Sequence, residues 1–178
     1  PLGVTVHIIP WNFPLQLAIR SIAPALAAGC TVIAKPASWT PLSLLAWAKA
    51  MEEAEVGLPS GVLQVITGSG GLIGDALAGH KGVDGIVLTG GVPTGQTVMA
   101  KASENLTPVT LELGGKGANI VFPDANLRYA AKAICFGIFL SCSLATAACI
   151  SDNRKLPDAN PTSIPKYLPL SRSLTKVS

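Results

Sequence analysis

Short runs of β-branched and aliphatic residues alternate along this chain with longer stretches whose apolar residues recur every three or four positions. Thr5–Ile9, Thr31–Ala34, Val62–Ile66, Ile86–Thr89 and Val109–Leu113 are nearly continuously apolar, as expected of strands covered on both faces. Between the first two, Leu15, Ile19, Ile22 and Leu26 predict one face of a helix. Pro14 suits its first turn, Gly29 its end, and Pro24 predicts a kink. Thr40 as N-cap and Pro41 in the first turn open a second helix reaching about Glu55, with Gly57, Pro59 and Gly61 in the loop beyond. Shorter helices are predicted at Leu72–Ala78 and Thr94–Ser103. Repeated β-α-β order implies an α/β fold, a Rossmann-like parallel sheet with covering helices and right-handed connections.

Composition supports a buried core. The 178 residues are 49% hydrophobic and only 13% charged, with a mean hydropathy of +0.48, which excludes a solvated, disordered chain. That length suits one domain or one and a fraction. The net charge of +3 resides entirely after Ile150; before it, acidic and basic residues balance. A basic nucleic-acid-binding surface is therefore not expected on the body of the chain. Cys30, Cys135, Cys142 and Cys149 form no C-x-x-C pair, so neither a disulfide framework nor a metal site is expected; they read as buried thiols of a cytoplasmic protein. Pro1 stands where a chain usually has Met, no signal peptide is legible, and the chain reads as an excised piece. Ala133–Ile150 carries no charge and reaches the minimum length of a membrane span, but its Ser, Thr, Ala and Cys residues argue against insertion. Beyond Ser141 the composition changes, and Pro157, Pro161, Pro165 and Pro169 punctuate a segment with no helical or strand period, expected to be disordered.

In parallel α/β sheets ligands sit beyond the carboxyl ends of the strands. The first strand ends in Pro10-Trp11-Asn12-Phe13-Pro14, where the Asn12 amide either donates an oriented N–H to a developing oxyanion or simply suits a rigid turn. The second ends in Lys35-Pro36-Ala37-Ser38, whose lysine either reaches ribose hydroxyls or phosphate or is only solubilising. After the third comes Gly68-Ser69-Gly70-Gly71-Leu72-Ile73-Gly74, a loop that lets backbone approach a pyrophosphate, or a merely flexible connection. Its G-x-G-x-x-x-G spacing misses the usual dinucleotide fingerprint by one residue. Thr89-Gly90-Gly91 and Gly95 form a second glycine-lined turn. The fifth strand ends in Leu111-Glu112-Leu113-Gly114-Gly115-Lys116, where Glu112 is either a general base whose pKa burial raises or the partner of a neighbouring lysine.

In this order, PWNFP, AGCTVIAKPASWTP, GLPSGVLQVITGSGGLIG, LTGGVPTG, LELGGK and NIVFPDANL resemble the aldehyde dehydrogenase superfamily, over about Pro1 to Phe139. The resemblance implies a partial dinucleotide-binding domain over 1–112, the start of a catalytic domain over 113–140 and a divergent tail over 141–178. It implies NAD or NADP as cofactor, an aldehyde as substrate and a homo-oligomeric intact enzyme. Asn12 would support the oxyanion and Trp11 line the cofactor site. Lys35 would bind the adenosine ribose; Gly68, Gly70, Gly74 and Gly90 would approach the pyrophosphate. Glu112 would activate water, and Leu113 would offer backbone contact near the nicotinamide. Many NAD-preferring members have Glu where this chain has Ser38, so the resemblance implies that NADP is tolerated.

One departure bears on activity. The family's nucleophilic cysteine follows a segment like F-x-N-x-G-Q-x-C, whereas Phe136-Gly137-Ile138-Phe139 here continues Leu140-Ser141-Cys142-Ser143-Leu144-Ala145-Thr146. Without gaps Thr146 occupies the nucleophile's position, Cys142 comes too early and Cys149 too late. The chain is therefore expected to lack turnover, and a frameshift, retained intron or altered splice would account for the break. A non-catalytic dinucleotide-binding or subunit-docking fragment is the alternative reading.

Overall fold

The computed structural model describes residues 1–54, 57–115, 118–137 and 147–150. Five strands, β1 (Val4–Ile9), β2 (Thr31–Pro36), β3 (Leu63–Val65), β4 (Gly85–Gly90) and β5 (Val109–Leu113), form one sheet in the order β3-β2-β1-β4-β5. All its pairings are parallel, with Ile9 level with Pro36, Ile8 with Leu88 and Thr89 with Glu112. The chain moves outward from β1 to β2 and β3, then returns to β1's other side with β4. This reversal puts a topological switch point between β1 and β4.

Alternation along β1 divides the core in two. Val6 faces a cluster with Ile86, Leu88, Val98 and Ala102, covered by α3 (Asp75–Ala78) and α4 (Val92–Ser103). Ile9 faces the opposite cluster with Ala18, Ile22, Val32, Ala34 and Leu44, covered by α1 (Pro14–Ala27) and α2 (Leu42–Glu53). The fold is thus a helix–sheet–helix sandwich, as its apolar strands predict.

Several local expectations change. The buried face of α1 is turned toward Ala18 and Ala25: Ala18 and Ile22 are fully buried, while Leu15 and Ile19 remain 37% exposed. Alanine brings the helix close to the small Ala34 side of the sheet, and the larger leucine and isoleucine are left at the rim. The helix also continues through Pro24 to Ala27. Thr40 does not cap α2; the helix begins after Pro41, and the Thr40 Oγ1 is buried without a hydrogen-bond partner among the described residues. The crossover after β3 opens with a π-helical turn, Gly70–Gly74, before α3.

Beyond β5, a parallel two-stranded sheet joins β6 (Ala118–Val121) to β7 (Ala147–Ile150), with α5 (Leu127–Cys135) between them. Asn126 caps α5, its side chain accepting from the Tyr129 N–H at 3.1 Å. Residues 147–150 therefore form a strand, where disorder was expected from 141 onward; the Ile150 end of this uncharged run pairs with β6. The remainder of the expected tail lies outside the described residues. No described helix is long and apolar enough to cross a membrane; the uncharged run begins in the last turn of α5 and ends in β7.

Candidate functional site

A cleft of about 370 Å³ opens where the π-helical turn and α4 flank the carboxyl ends of β1 and β2. Ile8 and Lys35 form part of its wall, Gly70, Gly71, Gly74 and Asp75 one side, and Pro93, Thr94, Thr97 and Val98 the other. Each group arrives there through a strand end or the first two turns of the helix that follows, because parallel strands deliver all such turns to the same edge.

Lys35 is, among the described residues, the charged one drawn furthest inside. It is 3% exposed, and its Nζ donates to the Pro36 carbonyl at 3.1 Å. Burial holds its pKa below the usual lysine range, because desolvation penalises the ammonium form. A Cβ added to Gly74 would stand 3.8 Å from Lys35 Cε, an ordinary packing distance, so Gly74 lets the turn lie against the lysine stem. Around Gly70 and Gly71 a Cβ would meet nothing within 4 Å, leaving backbone open to a ligand.

Gly68 has a conformational requirement of its own. Its φ is +149°, and an added Cβ would lie 2.5 Å from Ile73 Cγ1. Ser38 donates to the Gly68 carbonyl at 2.9 Å, tying the end of β2 to this loop. Ser69 Oγ then accepts from the Leu72 N–H at 3.3 Å, starting the π-helical turn.

Trp11 and Asn12 follow β1; Trp11 is 48% exposed and Asn12 half-buried. Gly90 and Leu113 are register partners at the ends of β4 and β5. Glu112 lies level with Thr89, about 10 Å from the line of β1, two strand spacings away. Its side chain is 57% exposed and pairs with Arg20 of α1 at 3.6 Å. The side chain is thus not buried as its apolar strand suggests, and its partner is an arginine from another element rather than a neighbouring lysine.

Thus Lys35, Gly70 and Gly74 meet in the cleft, while Trp11, Asn12, Ser38, Gly68, Gly90, Glu112 and Leu113 stand along the same sheet edge outside its lining. Sequence reasoning missed Asp75, Thr94 and Thr97. The i, i+3 spacing of Thr94 and Thr97 behind the Gly90-Gly91 turn was the available signal. Thr146 and Cys142 lie outside the described residues, and Cys149 falls in β7. Among the described residues no group of three His, Cys, Asp or Glu side chains could hold a metal ion.

This edge, with its motifs in order, coincides with a sequence match to the aldehyde dehydrogenase family over residues 1–156. The chain belongs to the aldehyde dehydrogenase family. The match continues beyond Phe139, where the recognisable motifs stop. Hydroxyisobutyraldehyde dehydrogenase of Mycolicibacterium austroafricanum is 47% identical over 154 residues, covering 86% of this chain and 30% of that protein. A putative aldehyde dehydrogenase, DhaS, of Bacillus subtilis is 45% identical over 79% of this chain and 28% of its own length. The fold superposes on Staphylococcus aureus betaine aldehyde dehydrogenase in complex with NAD+ with a TM-score of 0.76 and 41% identity, covering 85% of this chain and 30% of that one. PnpE in complex with nicotinamide adenine dinucleotide gives 0.73 at 46% identity, over 79% and 28%. This aldehyde dehydrogenase chain therefore spans less than a third of the length of each of these relatives.

Proposed function

We propose that this chain forms the dinucleotide-binding part of an enzyme that oxidises an aldehyde to a carboxylate with NAD or NADP. The cleft carries this reading: a buried lysine amine, open glycine backbone and two threonines converge at a topological switch point. Solved relatives in complex with NAD+ support it.

The residues present suit such a cofactor. Lys35 would donate to ribose hydroxyls, since an ammonium has three protons and only one is committed to Pro36. Gly68, Gly70, Gly74 and Gly90 would let backbone approach the pyrophosphate. Trp11 and the Leu113 backbone would flank the far end. Ser38 carries no charge and would not repel a 2′-phosphate, which supports use of NADP beside NAD. When bound, the cofactor supplies the hydride acceptor.

For the reaction itself, the Asn12 side-chain N–H would hold the aldehyde oxygen as it gains negative charge. Glu112 would accept a proton from water, and Arg20 would orient its carboxylate through their 3.6 Å pair. As the sequence stands, Thr146 replaces the nucleophile without gaps, and an alcohol is a far weaker nucleophile than a thiolate. The chain would accordingly bind a dinucleotide without turning over an aldehyde. Exposed Ile120, Phe122, Leu127, Tyr129 and Phe136 support burial of this region against further protein, as in a homo-oligomer.

Calorimetric titration of the purified chain with NAD and with NADP, beside an assay of aldehyde turnover, tests the proposal. Saturable binding of either cofactor without turnover is expected. Failure to bind both overturns the cofactor assignment, and steady turnover overturns the assigned lack of a nucleophile.

A further inference from the structure

Lys35 differs from the other described lysines in every respect that governs amine reactivity. Lys49 and Lys101 lie 72% and 44% exposed by side chain and pair with Glu53 and Glu104 at 3.6 Å. Lys81 is exposed. Lys35 is enclosed, forms no ion pair among the described residues, and has the Pro36 carbonyl as its hydrogen-bond acceptor. The cleft it lines is large enough for a small organic molecule, and Asp75 is the only carboxylate in that lining.

From this geometry we infer that Lys35 is a nucleophilic amine site, open through the cleft, that takes small aldehydes covalently as an imine when no dinucleotide fills the space. The neutral Nζ lone pair attacks the carbonyl carbon, forming a C–N bond while the carbonyl π pair moves to oxygen. Proton transfer from nitrogen to oxygen gives a carbinolamine. Loss of water, with the second nitrogen proton, leaves the C=N bond. No oxidant or reductant is consumed.

Two features favour this chemistry. Desolvation lowers the lysine pKa and increases the share of amine carrying a free lone pair at neutral pH. With no carboxylate paired to it among the described residues, the ammonium form lacks the usual stabilisation. The Asp75 carboxylate on the same wall can exchange protons through water during dehydration. The adduct would occupy cleft volume and remove a donor from the proposed ribose contact. A dinucleotide would therefore protect the amine, and an aldehyde would block the dinucleotide. The protection, unlike the adduct, rests on the proposed cofactor reading.

The test uses the full chain, propanal as probe and cyanoborohydride to trap the imine as a secondary amine. Peptide mass mapping over time gives a rate for each lysine. Lys35 is expected to be labelled several-fold faster than Lys49, Lys81 and Lys101, and saturating NAD is expected to slow Lys35 alone. Labelling of Lys35 at the rate of these surface lysines, or below it, overturns the inference. Fast labelling that NAD does not slow supports the reactive amine and counts against the cofactor assignment. A Lys35→Arg variant, which keeps a cation but has no such amine, should lose the fast-labelled site and leave the three surface rates unchanged.

Discussion

Acidification should destabilise this fold through one histidine at the centre of the sheet. His7 is 1% exposed, and burial lowers its pKa from 6.5 to about 4. Thr5 Oγ1 donates its only proton to the Thr31 carbonyl at 3.0 Å, so the 3.1 Å contact with His7 Nε2 requires that Nε2 be the donor. The proton taken up on acidification must then go to Nδ1, which is buried and has no hydrogen-bond partner among the described residues. Because the folded pKa lies below the unfolded value, the unfolded chain takes up the proton first as pH falls. The resulting stability is complete above about pH 6.5 and is lost as pH falls through about 4. At 1.36 kcal/mol per pKa unit the full loss is about 3 kcal/mol, of which about 2 kcal/mol is gone by pH 5. Urea unfolding followed by emission of Trp11, Trp39 and Trp47 at pH 7.5 and pH 5 measures it. A His7→Val chain, which cannot titrate there, should lose about 2 kcal/mol less than the parent over that interval. Equal pH slopes in the two chains would refute the reasoning.

Other perturbations probe the cleft and its rim. Gly68→Ala should cost about 1–3 kcal/mol in the same unfolding assay, because both its φ and its approach to Ile73 exclude a side chain; unchanged stability would show that the loop relaxes freely. Ser38→Glu should weaken NADP binding at least about tenfold relative to NAD by titration, since a carboxylate faces the 2′-phosphate; an unchanged ratio would remove Ser38 from the specificity argument. Gly95→Ala should cost only about 1 kcal/mol, because its Cβ would press on the Leu113 δ-carbons, at 2.9 and 3.2 Å, which can swing aside; a much larger loss would mean that Leu113 is held rigidly. Arg20→Gln should change stability by less than about 1 kcal/mol, because both members of its pair are more than half exposed; a larger loss would mean that the pair is better shielded than its exposure implies.

The sequence alone determined the sheet and its sidedness. Near-continuous aliphatic runs such as Ile86–Leu88 have no stable place except between two helical layers, and glycine or proline at each strand end fixes where the chain turns. Val109–Leu113 coincides with β5, and the predicted Thr5–Ile9 differs from β1 by one residue. The motifs at those turns were local enough to be read as a set, although most were ambiguous singly. What tertiary structure decided was environment, which depends on residues distant in the chain. Lys35 could equally have been a surface lysine until α4 and the turn after β3 enclosed it with Ile8. Glu112 lies in an apolar strand, yet that strand is at the sheet edge, and the side chain is more than half exposed and pairs with an arginine from α1. Leu15 and Ile19 fit the apolar period, but Ala18 and Ile22 make the buried contact, the small Ala18 letting the helix lie close to the sheet. Thr40 has the right residue type for a cap, yet α2 begins after Pro41 and leaves its hydroxyl without a partner among the described residues. Periodicity records which elements form; burial and charge pairing arise only when those elements meet.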